Sequence, residues 1–161
     1  MASERIKFEK LPDNMEEFIS LSNLENPKET AALFVIAIAT YVKDKDLGIE
    51  MINHLKGPEK LNPYGLQFLR DCLRDKPYLP NSYFLGTNPQ NNYEPPVPYE
   101  VEVFEDQVNY VEGYERVLLQ SSGADSKRLL VLRRKGNQYF VWDYPGILSG
   151  IRIPVKDDKW A

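Results

Sequence analysis

Thirteen successive residues, Thr30 to Val42, carry no charge, and Ala31, Ala32, Leu33, Phe34, Val35, Ile36, Ala37, Ile38, Ala39 and Val42 fill every side of the helical wheel they would form. A surface helix shows one apolar stripe; a helix apolar all round is buried all round. Asn26-Pro27 supplies its start, with Asn as cap, Pro where no N–H is needed, and Glu29 at the positive end of the dipole. Three shorter segments show a single stripe each. Asp13 with Glu16 reads as a variant capping box for a helix through about Ser22. Asp46 opens a helix with Leu47, Met51, Ile52 and Leu55 on one face, closed by Gly57-Pro58. Asn62-Pro63 opens the fourth, with Leu61 and Leu66 placed as a hydrophobic staple, a stripe of Phe68, Leu69, Cys72 and Leu73, and a stop before Pro77.

After Pro98 the period changes from helical to two. Tyr99, Val101 and Val103 alternate with Glu100 and Glu102, the pattern of a half-buried strand. Further strands are predicted at Val108 to Val111, Glu115 to Gln120, Arg128 to Arg134, Tyr139 to Tyr144 and Ile147 to Ile153. Gly136-Asn137 between two apolar runs is a hairpin signal. Phe140 and Trp142 fall on one strand face, Tyr139 and Val141 on the other, which predicts burial on both. Helices first and strands second is an α+β order: about four helices packed with an antiparallel sheet or small curled barrel of five to six strands.

Residues 77–98 fit neither pattern. They hold six of the twelve prolines, four asparagines, one charge (Glu94) and the aromatics Tyr78, Tyr83, Phe84 and Tyr93. A disordered linker is charged and poor in aromatics. The composition predicts an ordered connection, so the chain is expected to be one domain over 1–161: helical part 11–76, connection 77–98, β part 99–153 and tail 154–161. Trp160 is expected to dock that tail.

Composition removes several function classes. The chain has 161 residues, 42% hydrophobic and 27% charged, with one cysteine and one histidine. Cys72 alone forms no intramolecular disulfide, and Cys72 with His54 offers no zinc site of the usual kind, so no structural metal and no cofactor are expected. Net charge is -4; residues 1–98 hold 11 basic and 14 acidic side chains, residues 99–161 hold 9 and 10. Neither part carries the basic excess that neutralises phosphates, so nucleic acid and anionic membrane are not expected partners. The charged start of the sequence lacks a signal peptide's apolar core, and the 13-residue apolar run falls short of the about 20 residues of a membrane span, which predicts a cytoplasmic protein.

Candidate chemistry is sparse. Ser121-Ser122-Gly123-Ala124-Asp125-Ser126 resembles the Ser-Gly-Gly-x-Asp-Ser loop of PP-loop ATP pyrophosphatases, with Ser122 in place of a Gly. That loop opens a helix whose free N–H groups hold phosphate. Here strand sequence follows, so the loop is expected to be a polar β-connection; Ser122, Asp125, Ser126 and Arg128 remain as a polar recognition surface. Tyr83, Asn91, Asn92 and Tyr93 join rigid amphipathic rings to adaptable amides, a recognition composition, although the rings equally serve to pin an irregular segment down. Glu100 and Glu102 share a strand face about 7 Å apart, the spacing of an acid–base pair and also of an ordinary wet face. His54 sits near a helix C-terminus, where the dipole accounts for it, and Cys72 lies on an apolar stripe.

Three strings taken together resemble a family: residues 81–95, residues 121–128 and residues 151–161. The family is one of small bacterial proteins, mainly from Firmicutes, described only as a domain of unknown function, and the resemblance covers about Leu11 to Ala161. Members typically read Ser-Gly-Gly-Ala-Asp-Ser-Pro-Arg where this chain has Ser122 and Lys127, and Asp-Pro-Trp-Ala where it has Lys159, which implies looser turns here. The resemblance implies a bacterial cytoplasmic setting and assigns no activity. The function expected is a non-enzymatic interaction or ligand-binding module for an as yet unidentified protein, peptide or polar small molecule. The alternatives are a small enzyme using the Ser/Asp/Arg loop or paired carboxylates, and a structural or oligomer-forming accessory subunit. ATP with magnesium should leave the melting temperature unchanged. A bound nucleotide at a hundredfold excess over Kd would add about 2.7 kcal/mol, and a shift of several degrees abolished by Asp125→Ala would identify the loop as a phosphate site.

Overall fold

The structure, a computed structural model, describes residues 2–106 and 110–161. It begins with a strand, β1 (Ser3–Phe8), followed by four helices: α1 (Met15–Ser20), α2 (Pro27–Lys43), α3 (Lys45–Lys56) and α4 (Pro63–Leu73). Two short 3-10 turns, Pro80–Tyr83 and Pro89–Asn91, lead into β2 (Tyr99–Glu105), β3 (Tyr114–Leu119), β4 (Arg128–Lys135) and β5 (Gln138–Asp143). The strands form one antiparallel sheet in the order β1-β2-β3-β4-β5, curled into a half-barrel. The fold is α+β, with the helices in the N-terminal half and four of the five strands in the C-terminal half.

Helix α2 is the axis of this arrangement. Every residue from Thr30 to Tyr41 is buried. One side lies across all five strands, against the inward row Val101, Val103, Val117, Leu119, Leu130, Leu132 and Val141; α3 covers another side. The caps are those the sequence signals: Asn26 Oδ1 accepts from the Lys28 N–H, and Pro27 opens the helix. At the far end Asp44 closes α2 and caps α3, accepting from the Leu47 N–H, so the two helices double back without a loop. The start of α3 is therefore Asp44, not Asp46. Likewise α1 is capped by Asn14, not Asp13; Asp13 instead donates its backbone N–H to Glu17. Adjacent Asp and Asn residues offer equivalent cap oxygens, and tertiary packing selects between them.

Other expectations need larger correction. β1 is absent from the sequence reading. Its alternation is only Glu4, Ile6, Phe8 against Ser3, Arg5, Lys7, and its pairing partner β2 lies some ninety residues on, with Phe8 opposite Tyr99. Ile147 to Ile153 is not a strand: Pro145–Leu148 forms a 3-10 turn that buries Ile147 and Leu148, and the backbone beyond it enters no ladder. Pro145 and Pro154 remove donors that a further strand would need. The predicted strand Val108 to Val111 falls partly outside the described residues; Val111 makes an isolated bridge to Tyr114. Trp160 does not dock: it is 95% exposed, held only through its backbone N–H on Asp158. Phe140 is half-buried, but Trp142 stays 37% exposed on the outer surface.

The connection 77–98 is built into the sheet. β2 and β3 pair only over Val103–Glu105, which leaves the Glu100 carbonyl without a strand partner; the Leu85 N–H donates to it at 2.8 Å. Leu79, Tyr83 and Phe84 are buried in the same apolar cluster as α2 and the sheet.

Gly48 reports on the tightest crossing. A Cβ there would sit 2.3 Å from the Tyr41 Cα. An exposed helical Gly→Ala change stabilises by about 1 kcal/mol. Gly48→Ala should instead destabilise by about 1–3 kcal/mol, the usual overpacking cost. Urea unfolding gives the sign, and a stabilised variant would place α2 and α3 farther apart than the structure does.

Candidate functional site

The residues singled out by sequence converge on one junction, where 77–98 meets the 121–128 loop and the segment after β5. The prolines and asparagines give the connection its shape. Asn88 and Asn91 cap one another reciprocally, each side-chain oxygen accepting from the other's backbone N–H, and the Asn91 amide donates to the Gly86 carbonyl. Asn92 and Tyr93 then take left-handed backbone conformations, φ 60° and 56°. This turn drives the Tyr93 ring inward, where it is fully buried and stacked on Tyr78 at 5.6 Å. Its hydroxyl donates to the Arg152 carbonyl at 2.6 Å. Gly123 must be glycine for this: a Cβ would lie 2.3 Å from the Tyr93 hydroxyl.

Tyr83, Arg128 and Asn92 are tied in similarly. Tyr83 donates to the Ile147 carbonyl at 2.5 Å, and burial pushes its pKa up to about 12. Arg128 donates one guanidinium nitrogen to the Ser149 carbonyl and another to that of Gly150. Asn92 Oδ1 accepts from the Lys156 N–H at 2.9 Å. Asp125 pairs with Arg152 on the surface, where such pairs contribute little. Ser126 is exposed. β4 begins at Arg128 directly after this loop, so no helix N-terminus faces it.

A second set of groups completes the junction: Ser121, Ser122 and Glu102, which the sequence pointed out, meet Ser82, Thr87, Phe104 and Gln120, which it did not. Ser121 donates to Ser82 Oγ at 2.6 Å, and Ser82 donates onward to the Leu79 carbonyl. In parallel, Thr87 donates to the Phe84 carbonyl at 2.8 Å and lies 2.9 Å from Ser122 Oγ. Because the Thr87 proton is already committed, Ser122 is the donor between them, and its oxygen keeps acceptor capacity. Ser122 lines a pocket of about 220 Å³ together with Phe84 and Phe104, the buried Ser82 and Thr87, Gln120, the part-exposed Glu102 and the exposed Lys127. Lys127 lies over the Phe104 ring at 4.7 Å. Glu102 accepts from Ser3 at 2.8 Å, so it serves β1 pairing and the pocket rim together.

The remaining titratable candidates are packed rather than poised. His54 meets the edge of Phe18 at 6.0 Å, and burial lowers its pKa, so the neutral ring, not a dipole-stabilised cation, is favoured at neutral pH. Burial raises the Cys72 thiol away from the reactive thiolate. Among the described residues no cluster of His, Cys, Asp or Glu could hold a metal, and no helix is long and apolar enough to cross a membrane.

The family model for Domain of unknown function (DUF6935) matches residues 10–155. The chain belongs to that family. The match spans the helices, the junction and all strands but β1. Neither the curated proteins nor the solved structures include a match to the chain. The family description assigns no chemistry, so the geometry of the junction and its pocket carries any functional reading.

The buried tyrosine gives a pH test. In the unfolded chain Tyr83 titrates near its ordinary value of about 10. Its folded pKa is near 12, so the folded state holds the proton more tightly. The stabilisation it contributes is therefore complete below pH 10 and lost as pH rises from 10 to 12, about 2–3 kcal/mol in all. Tyr83→Phe should destabilise at pH 7 by about 1–3 kcal/mol through the unpaired Ile147 carbonyl, and should flatten this alkaline loss. Denaturant unfolding across pH 7–12 checks both; an unchanged alkaline slope would show that Tyr83 is not the group responsible.

Proposed function

We propose that this protein is a non-enzymatic binding module of the bacterial cytoplasm that takes a small polar molecule, or a polar side chain of a peptide, in the pocket between Phe84, Phe104 and Ser122. The observation that carries this reading is the hydroxyl relay. The Ser122 oxygen is left as an acceptor toward a pocket whose rim holds an anion, Glu102, and a cation, Lys127. Such a rim favours a dipolar ligand that presents hydrogen-bond donors to Ser122 and Glu102 and an acceptor to Lys127. The apolar walls supply contact area beside few, fixed polar groups, the usual make-up of a small-ligand site.

Binding is favoured over catalysis by the chemistry of the lining. A serine nucleophile needs a base within hydrogen-bond reach, and Ser122 is hydrogen-bonded to a hydroxyl instead. His54, on α3, is not among the residues lining this pocket. The bacterial cytoplasmic setting rests on the family resemblance of the three strings. The acidic net charge of -4 argues for a partner other than nucleic acid or an anionic membrane.

An NMR screen with amino acids, sugars and short peptides is the test. The expected result is saturable amide shifts confined to Ser82–Thr87, Glu102, Gln120–Ser122 and Lys127, with the ligand recovered unchanged. Ser122→Ala and Lys127→Met should each weaken binding about tenfold, the loss of one hydrogen bond to a charged or polar ligand group, without lowering the melting temperature by more than a few degrees. Chemical conversion of the ligand would establish an enzyme, and shifts confined to another surface would remove this pocket from consideration.

A further inference from the structure

A second cleft lies between the C-terminal end of α3 and the β4–β5 hairpin, and none of its lining residues falls within 81–95, 121–128 or 151–161. It is lined by Lys56, Pro58 and Glu59 from the helix end and by Arg133, Arg134, Lys135, Phe140, Val141 and Trp142 from the strands, and has a volume of about 340 Å³. Its charge runs against that of the chain. The protein is net -4, yet the charged residues of this cleft are four cations and Glu59.

The strand register shows that the sheet does not neutralise these cations. Arg133 stands opposite Tyr114 on one side and Phe140 on the other; Arg134 faces Tyr139, and Lys135 faces Gln138. Cross-strand carboxylates, which ordinarily offset such a run, are absent from these positions. Among the described residues none of the four cations makes an ion pair within 4 Å. Aromatic rings hold two of them instead. The Arg133 guanidinium lies 4.5 Å from the centre of the Trp142 ring and 5.6 Å from that of Tyr114, and the Lys56 ammonium lies 5.4 Å from the Tyr144 ring. Burial also makes the Lys56 charge harder to keep, in a place where Glu59 is the one group offsetting it.

We infer that this cleft binds a small organic anion, one that carries a carboxylate, sulfonate or phosphate group on a planar apolar body. Along β4 Arg133 and Lys135 share the strand face of Phe140 and Trp142, whereas Arg134 falls on the opposite one. The anionic group meets Lys56, Arg133 and Lys135, and the apolar body lies on Phe140, Pro58 and the exposed face of Trp142. Arg133, fixed on Trp142, presents a planar guanidinium suited to an oxyanion. Both halves of the ligand are required by the lining: a bare anion leaves the aromatic floor wet, and a neutral ring leaves the cations unmatched. The site is independent of the pocket at the junction and involves none of its residues.

The test uses the full chain with Trp160→Phe, which leaves Trp142 as the fluorescent reporter and alters only the exposed tail ring. Three probes are titrated: 1-naphthalenesulfonate, neutral 1-naphthalenemethanol and inorganic phosphate. The expected result is saturable quenching of Trp142 by the sulfonate at one equivalent, with both other probes at least tenfold weaker. The sulfonate affinity should fall several-fold between 50 mM and 500 mM salt, because exposed charges are screened. Lys135→Glu, a reversal at an exposed side chain, should weaken the sulfonate at least tenfold, and Arg133→Ala should do so with loss of the Trp142 stacking shift in the indole NMR signal. Should Arg133→Ala unfold, Lys135→Glu with an unchanged melting temperature decides alone. The inference is overturned if the neutral probe binds as well as the sulfonate, if phosphate alone matches it, if no probe saturates, or if Lys135→Glu leaves the affinity unchanged.

Discussion

The complete burial of α2 from Thr30 to Tyr41 is the constraint from which the rest of the fold follows. A helix with no polar face cannot end at a surface layer; it needs apolar partners on every side. A single sheet covers only one of them, so the sheet curls around one side of α2 and α3 packs on another. The close approach of Gly48 to the Tyr41 backbone shows how tightly the second layer is drawn in. Burying this one helix removes a large share of the chain's apolar area from water, at about 25 cal/mol per Å². The strand order, the short reversal at Asp44 and the inward row of valines and leucines all serve that burial.

The same constraint explains the junction. In the curled sheet β2 and β3 pair over three residue pairs, whereas β1–β2 and β3–β4 pair over six each. The open part of β2 would expose backbone groups beside the core. The 77–98 connection fills that space, with Leu85 hydrogen-bonded to Glu100 and Tyr83 and Phe84 sealing the apolar side. Tyr83, Tyr93, Asn91, Asn92 and Arg128 are committed to holding the segments together, their polar atoms bonded to backbone carbonyls and amides. The composition that resembles a recognition surface thus builds a scaffold, and the chemistry left over lies beside it, on Ser122, Glu102 and Lys127.

The two clefts proposed as binding sites both lie where sheet and helices do not fully close. One is the hydroxyl-lined pocket at the β2–β3 gap. The other is the cationic cleft at the free edge of β5. They differ in character because their backgrounds differ: hydroxyls relayed through buried hydrogen bonds in the first, four cations against the single carboxylate of Glu59 in the second.

What the sequence determined by itself was local. The apolar run at Ala31 to Val42, the Asn-Pro starts at 26 and 62, the stop at Gly57 and the Gly136-Asn137 hairpin all act within a few residues, and the fold class follows from their order. The family was legible too, in three short strings. Contacts between distant residues were decided only by tertiary structure. β1 has two strongly apolar residues and becomes a strand through β2, which completes its hydrogen bonds. Ile147 and Leu148 read as strand and become a turn that buries both side chains, with Pro145 opening it and Pro154 beyond it each lacking a ladder donor. Trp160 stays in water, which local sequence does not reveal. The site divides the same way: Ser122 was visible as part of a polar loop, whereas its hydroxyl partner Thr87 and the ring of Phe104 come together with it only when residues far apart in the chain meet across the sheet.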